Sequence, residues 1–232
     1  MTSQRWAYAI CAPVAQRLWA WMRWAGSIGP EHRLGRQFHS FGVQSLICFP
    51  PGDSVGVEHI SIGSATLIAP NATMSVGMAP GQPLPTGATS PVLRIGDRTL
   101  IGRGTHLVAH QSVVIGDDVI TGPNCYVTDQ NHVYADPETP IGRQWPTNDP
   151  VEIGSGSWLG SGAVILPGTR LGQNTVVGAG AVVRGEFPDH AVLAGMPAKV
   201  VRRYEPGTGW QPDLRDVLID LPPDWPITRT TS

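Results

Sequence analysis

An apolar residue returns every six positions along much of this chain, usually with glycine behind it, and that spacing decides what the chain can fold into. The segments "ISIGSATLIAPNATM", "LRIGDRTLIGRGTHL", "VVIGDDVITGPNCYV", "VEIGSGSWLGSGAVI" and "TRLGQNTVVGAGAVV" align in triplets. Their anchors are Ile62, Ile68, Met74; Ile95, Ile101, Leu107; Ile115, Thr121, Val127; Ile153, Leu159, Ile165; and Leu171, Val177, Val183. Only Thr121 breaks the apolar rule, and a small residue such as Thr66, Thr99, Cys125 or Thr175 often stands four places after the anchor. The period is too short for helix pairs and too regular for a sandwich. It suits short flat strands joined by tight corners, with each rung burying its anchors against the next. Glycine behind an anchor spares the corner a Cβ that would crowd it or force strain.

The three faces of such a prism are not equivalent. Glycine follows the anchors of the first two faces, Ala69 excepted, whereas Ser75, Val108, Thr128, Leu166 and Arg184 follow those of the third. The chain length between coils varies at the same place. Met74 to Ile95 is 21 residues, Leu107 to Ile115 is 8, Val127 to Ile153 is 26 and Ile165 to Leu171 is 6. Every insertion therefore leaves from one edge, and long loops in compact domains are commonly functional. The longest opens with "TDQNH".

Fifteen anchors in register make residues 60 to 204 resemble the hexapeptide-repeat acyltransferases, and "AGMPAKVVR" is the most specific single string. The fold that this resemblance implies is all-β, a left-handed parallel β-helix of about five 18-residue coils. Periodicity does not set the hand, because parallel crossovers are right-handed in about 98% of cases. The expected organisation is an N-terminal helical or capping segment at 1–40, a β-helix at 41–204 with loops at 79–92 and 130–151, and a Pro-rich extension at 205–232.

In the maltose, galactoside and capsule-type O-acetyltransferases that the chain resembles, a histidine five residues after the third-face anchor acts as general base; here it is His132. The chemistry asks for such a group. A sugar hydroxyl is a poor nucleophile at neutral pH, and imidazole, titrating near ~6.5, suits the removal of its proton. Asp129 and Asn131 flank His132 and are expected to orient its ring. His110 sits one coil earlier, where the galactoside enzymes carry an acid, either touching acceptor or filling the edge; His106 is expected to be structural or exposed. The resemblance also implies that Trp158, placed at a corner, lies by the donor, and that Gly160 and Ser161 offer a backbone N–H to the thioester oxygen. It further implies small residues Gly178 and Ala179 beside the pantetheine arm, with Arg184, Lys199, Arg202 and Arg203 near the phosphates of coenzyme A. Tyr134, Arg143 and Trp145, with Asp136 and Glu138, are candidates to shape an acceptor pocket.

The implied activity is transfer of an acetyl group from acetyl-coenzyme A to a sugar or glycan hydroxyl. It would run without an acyl-enzyme or metal, in a homotrimer with sites at subunit boundaries. Two other readings stand beside it: a non-catalytic β-helix scaffold, and a zinc carbonic anhydrase of the same fold, for which His106, His110 and His132 have the wrong separations. The net charge of −2 gives no field for nucleic acid. Cys11, Cys48 and Cys125 form no paired or zinc-binding spacing, which fits free thiols in a reducing cytoplasm. The apolar stretch "WAYAICAPVA" resembles a signal core, but Gln16 and Arg17 follow it without a clear cleavage site, so a cytoplasmic location is expected.

The ends carry less pattern. Trp6, Ile10, Val14, Leu18 and Met22 follow helical spacing, with Pro13 expected to interrupt, and residues 5–24 are basic and Trp-rich with no acid before Glu31. Such a helix either covers the open end of the prism, the reading placed first, or lies on an anionic membrane. Beyond Glu205 there is one short helix candidate, Asp213 to Leu221.

Overall fold

The computed structural model describes residues 3–77, 84, 87, 88 and 90–212, and the side chains of the first helix from Cys11 onward. Most of the expected loop 79–92 and the helix candidate at 213–221 lie outside the described residues.

A helix, α1 (Ser3–Ala25), precedes a three-sided parallel prism. The first face stacks Ser40–Phe41, Ile60–Ile62, Leu93–Ile95, Val113–Ile115, Val151–Ile153, Arg170–Leu171 and Glu186–Phe187. The second stacks Leu46–Ile47, Leu67–Ile68, Leu100–Ile101, Ile120–Thr121, Trp158–Leu159, Val176–Val177 and Ala191–Gly195. The third stacks Ser54–Val55, Thr73–Val76, His106–Ala109, Tyr126–Thr128, Val164–Ile165 and Val182–Val183. Register follows the repeat: Ile62 pairs with Ile95, Ile68 with Ile101, Met74 with Leu107 and Leu159 with Val177. All fifteen anchors are buried.

The repeat's other letters have physical roles. Where the small residue four places after the anchor is a threonine, its buried hydroxyl can donate to a corner carbonyl one coil on: Thr66 Oγ1 to Gly96 O at 2.7 Å and Thr99 Oγ1 to Gly116 O at 2.9 Å. Thr121, the odd anchor, is buried but satisfied, because its Oγ1 accepts the Gly102 N–H at 2.7 Å. Glycine behind the anchor answers to stacking rather than to dihedral angle. A Cβ on Gly116 would stand 2.7 Å from the Ser155 amide nitrogen and 2.9 Å from its Cα. The left-handed conformation falls two residues later, at Ala65, Arg98, Asp118, Gly156 and Asn174.

The ladder extends beyond the five legible triplets. Phe41, Ile47 and Ser54 pair with Ile62, Ile68 and Met74 as an earlier rung. Phe187 and Leu193 continue it past Val183. Ala198–Glu205 then turns back antiparallel along Ala191–Gly195, and Gly209–Gln211 follows. Contrary to expectation, Pro13 does not interrupt α1, which runs through it. Trp19 of the helix meets Phe49 edge to face, and residues after the helix pack on the first rung as well. Ile28 bridges Ile47, and buried Phe38 meets Phe41 edge to face at 5.3 Å between ring centroids.

Candidate active site at the third-face edge

The chain leaves the third face at Thr128 and returns to the first at Val151. A two-residue antiparallel hairpin, Gln130–Asn131 with Thr147–Asn148, closes the neck of this excursion. His132 follows it directly, exposed at the mouth of the loop. Its ring makes no hydrogen bond among the described residues.

Asp129 is fully buried, and its carboxylate does not orient His132 as expected. Oδ1 accepts the His110 N–H at 2.8 Å, while Oδ2 accepts those of Gln111 and Ser112, both at 2.7 Å. Its own carbonyl accepts the Asp149 N–H at 2.7 Å. One anion therefore fixes the corner below the loop and the strand that returns from it. Asn131 is exposed and held by the hairpin backbone. His110 does lie beneath Gln130, whose Nε2 donates to its Nδ1 at 3.2 Å. At 4% exposure it has little surface to offer an acceptor, which corrects the substrate-binding expectation. Burial pushes the His110 pKa below the usual 6.5 and nearby His132 adds to this, against the opposing pull of Asp129. His110 is thus a neutral prop under the loop.

Sequence reasoning missed three groups here. Gln130 carries the link to His110. Asn148, opposite Gln130, has a buried Oδ1 with no hydrogen-bond partner among the described residues. Gln144 cross-ties the loop, donating to Asp136 O at 2.9 Å and Thr139 O at 2.8 Å. Around these ties Tyr134, Arg143 and Trp145 stand exposed. The Thr139 hydroxyl lowers the Asp136 pKa. Further along the same edge, Ser90 Oγ lies 3.1 Å from His59 Nδ1 and 3.4 Å from His39 Nδ1, a cluster hidden by separations of 31 and 51 residues. His106 is tied outward by Thr73 at 2.7 Å, and the histidines form no three-ligand metal group among the described residues.

The donor-side candidates lie elsewhere. Trp158 is not at a corner; it sits within a strand, exposed on the outer side of the second face. Gly160 and Gly178 use their N–H groups in the stack, on Val177 O and Leu193 O, both at 2.7 Å. The next residues, Ser161 and Ala179, are exposed, and their N–H groups have no acceptor among the described residues. The two are stacked, since Gly180 N donates to Ser161 O at 2.9 Å. Lys199 extends the same face and is exposed. Arg202 is engaged instead: its Nε donates to Pro212 O at 2.8 Å and its guanidinium lies over Trp210. Arg184 alone of the donor candidates shares the His132 edge. The third face separates the two groups. A stretch of six residues spans roughly 20 Å, so one chain does not bring His132 to Ser161.

Residues 150–185 match the family described as Bacterial transferase hexapeptide (six repeats), and residues 92–129 match the Hexapeptide repeat of succinyl-transferase. A protein of Mycobacterium tuberculosis named a probable acetyltransferase is 35% identical over 133 residues, 56% of this chain and 44% of the relative. The galactoside O-acetyltransferase of Escherichia coli is 35% identical over 101 residues, 41% of this chain and 46% of the relative. The chain spans about half the length of these curated relatives. Among solved structures, AntD, an N-acyltransferase from Bacillus cereus crystallised with dTDP-4-amino-4,6-dideoxyglucose and coenzyme A, superimposes with a TM-score of 0.62. It is 18% identical, and the match covers 75% of this chain and 88% of that one. Mostly β with parallel sheets and one described helix, the chain fits a left-handed β-helix.

Proposed function

We propose that the chain is a hexapeptide-repeat transferase that moves an acetyl group from acetyl-coenzyme A to a hydroxyl of a sugar or glycan. The observation that carries this reading is His132 itself, an exposed imidazole held at the mouth of the third-face loop by the hairpin and by Asp129 below it. The galactoside O-acetyltransferase relative supports the hydroxyl acceptor, and AntD, an N-acyltransferase, holds a sugar nucleotide and coenzyme A on the same fold.

In the proposed reaction His132 takes the proton of an acceptor hydroxyl as its oxygen attacks the thioester carbon. It returns that proton to the sulfur as the C–S bond breaks, so no acyl-enzyme forms. The two free backbone donors at Ser161 and Ala179 fit the carbonyl end of the donor, where negative charge develops. Trp158 offers a flat wall and Lys199 a cation for phosphate. These groups and His132 lie on different corners of one prism, so the complete site takes its halves from neighbouring copies of a homotrimer. The exposed loop residues Tyr134, Arg143 and Trp145 then face the acceptor. The domain limits, 1–40, 41–204 and 205–232, follow the same scheme.

Calorimetric titration with coenzyme A, with acetyl transfer to a panel of sugars measured alongside, tests this. His132→Ala should retain donor binding and lose about a hundred- to ten-thousand-fold in rate. Lys199→Ala should weaken donor binding. A folded protein that takes up no coenzyme A overturns the reading and moves the scaffold alternative forward.

A further inference from the structure

Helix α1 turns the wrong way for a helix that serves only its own domain. Val14, Leu18, Trp21 and Trp24 follow one another at intervals of four, three and three, which places them on one side. That side faces solvent: the four are 61%, 52%, 59% and 78% exposed. Trp24 also borders the prism, and the other contacts with it come from a different row. Trp19 touches Phe49 edge to face at 6.1 Å between centroids. Ala20, Arg23 and Trp24 line a cleft of about 480 Å³ with Ser27, Leu46, Cys48 and Phe49. A second cleft, about 340 Å³, sets Arg23 beside Arg103, Trp19 and Asn71.

We infer that this outward face of α1 docks on a membrane surface bearing anionic headgroups, with the helix lying in the interface. Charge selects that partner. Arg5, Arg17 and Arg23 are the only ionisable Asp, Glu, Lys or Arg residues before Glu31, so the segment carries three positive charges and no carboxylate. A symmetric contact with a second copy would bring arginine against arginine with nothing on either helix to pair them. An anionic headgroup layer supplies the missing countercharge, and tryptophan with arginine is the composition that interfacial helices use. The helix lies on the bilayer and does not cross it, since no described helix is long and apolar enough to span. The inference does not rest on the transferase reading.

Sedimentation of the full-length protein with vesicles tests it without any substrate, so it stands or falls apart from acetyl transfer. The protein should pellet with vesicles of equal phosphatidylcholine and phosphatidylglycerol, and much less with phosphatidylcholine alone or in high salt. Arg17→Gln with Arg23→Gln should weaken the binding about tenfold or more. Leu18→Glu with Trp21→Glu should abolish it while leaving the thermal unfolding midpoint in place, because both side chains are already exposed. Failure to pellet with either vesicle, or undiminished pelleting of the Leu18→Glu, Trp21→Glu variant, overturns the inference. A fall in oligomer mass of that variant by light scattering also overturns it, assigning the face to a contact between copies.

Discussion

At the scale of single residues the site rests on groups that do not themselves face the loop. Asp129 joins two rungs through three amides, and His110 stays neutral so that its Nδ1 can accept from Gln130. This arrangement has a pH signature. Burial holds the folded pKa of His110 below the ordinary 6.5. Between those two values the unfolded chain binds a proton that the folded one refuses, so stability falls as pH drops below about 6.5 and levels off once folded His110 also protonates. Urea unfolding at pH 7.5 and 5.5 should show this loss in the parent, and His110→Gln should show a smaller one. Equal losses in the two proteins would mean that His110 is protonated in the fold. Asp129 and His132 are the charged and titratable neighbours that act on His110, and neither is altered in the comparison.

At the scale of the element, the corner is where glycine matters, and two glycines should behave differently. On Gly116 a Cβ would fall 2.7 Å from the Ser155 amide nitrogen, backbone that can yield only by separating the rungs. Gly116→Ala should cost about 2–4 kcal/mol. Gly180 has a φ of +67° and nothing within 4 Å of an added Cβ, so Gly180→Ala should cost only about 1–2 kcal/mol. Ala65, at φ +54° in another corner, occupies the same region without glycine. Chemical denaturation of the two variants checks the order; a Gly180→Ala loss equal to that of Gly116→Ala would remove stacking as the reason for the repeat's glycine. The same physics explains which elements were legible. Fifteen anchors could be read because all are buried, all but Thr121 are apolar, and the step within each triplet is fixed. The earlier rung could not: Pro50 and Pro51 lengthen its corner, and Ser54 stands opposite Met74 where an apolar anchor was due. At the far end the step from Val183 to Phe187 is four, which breaks the step of six. His132 was legible from register, but Gln130 and Asn148 were not. A two-residue hairpin has no periodicity, and a buried amide looks no different in sequence from an exposed one.

At the scale of the whole molecule the prism distributes its candidate chemistry over two corners. Trp158, Ser161, Ala179 and Lys199 share the second face and its far edge, whereas His132, Asn131, the loop aromatics and Arg184 belong to the edge beyond the third face. A rigid stack of parallel strands cannot fold one corner onto the other, so catalysis by both groups needs two chains. Mixed oligomers turn this into a number. In the proposed reaction His132→Ala removes the base and Ala179→Trp blocks the donor corner, so each variant alone should be inactive. In the proposed trimers, assembled at random from equal amounts of the two, a site works when its base comes from the Ala179→Trp chain and its donor corner from the His132→Ala chain. About one site in four meets that condition when neighbouring chains build the site together. Co-refolded mixtures should therefore regain about a quarter of the parent rate, whereas a site contained in one chain would regain none, because every chain then carries a broken half.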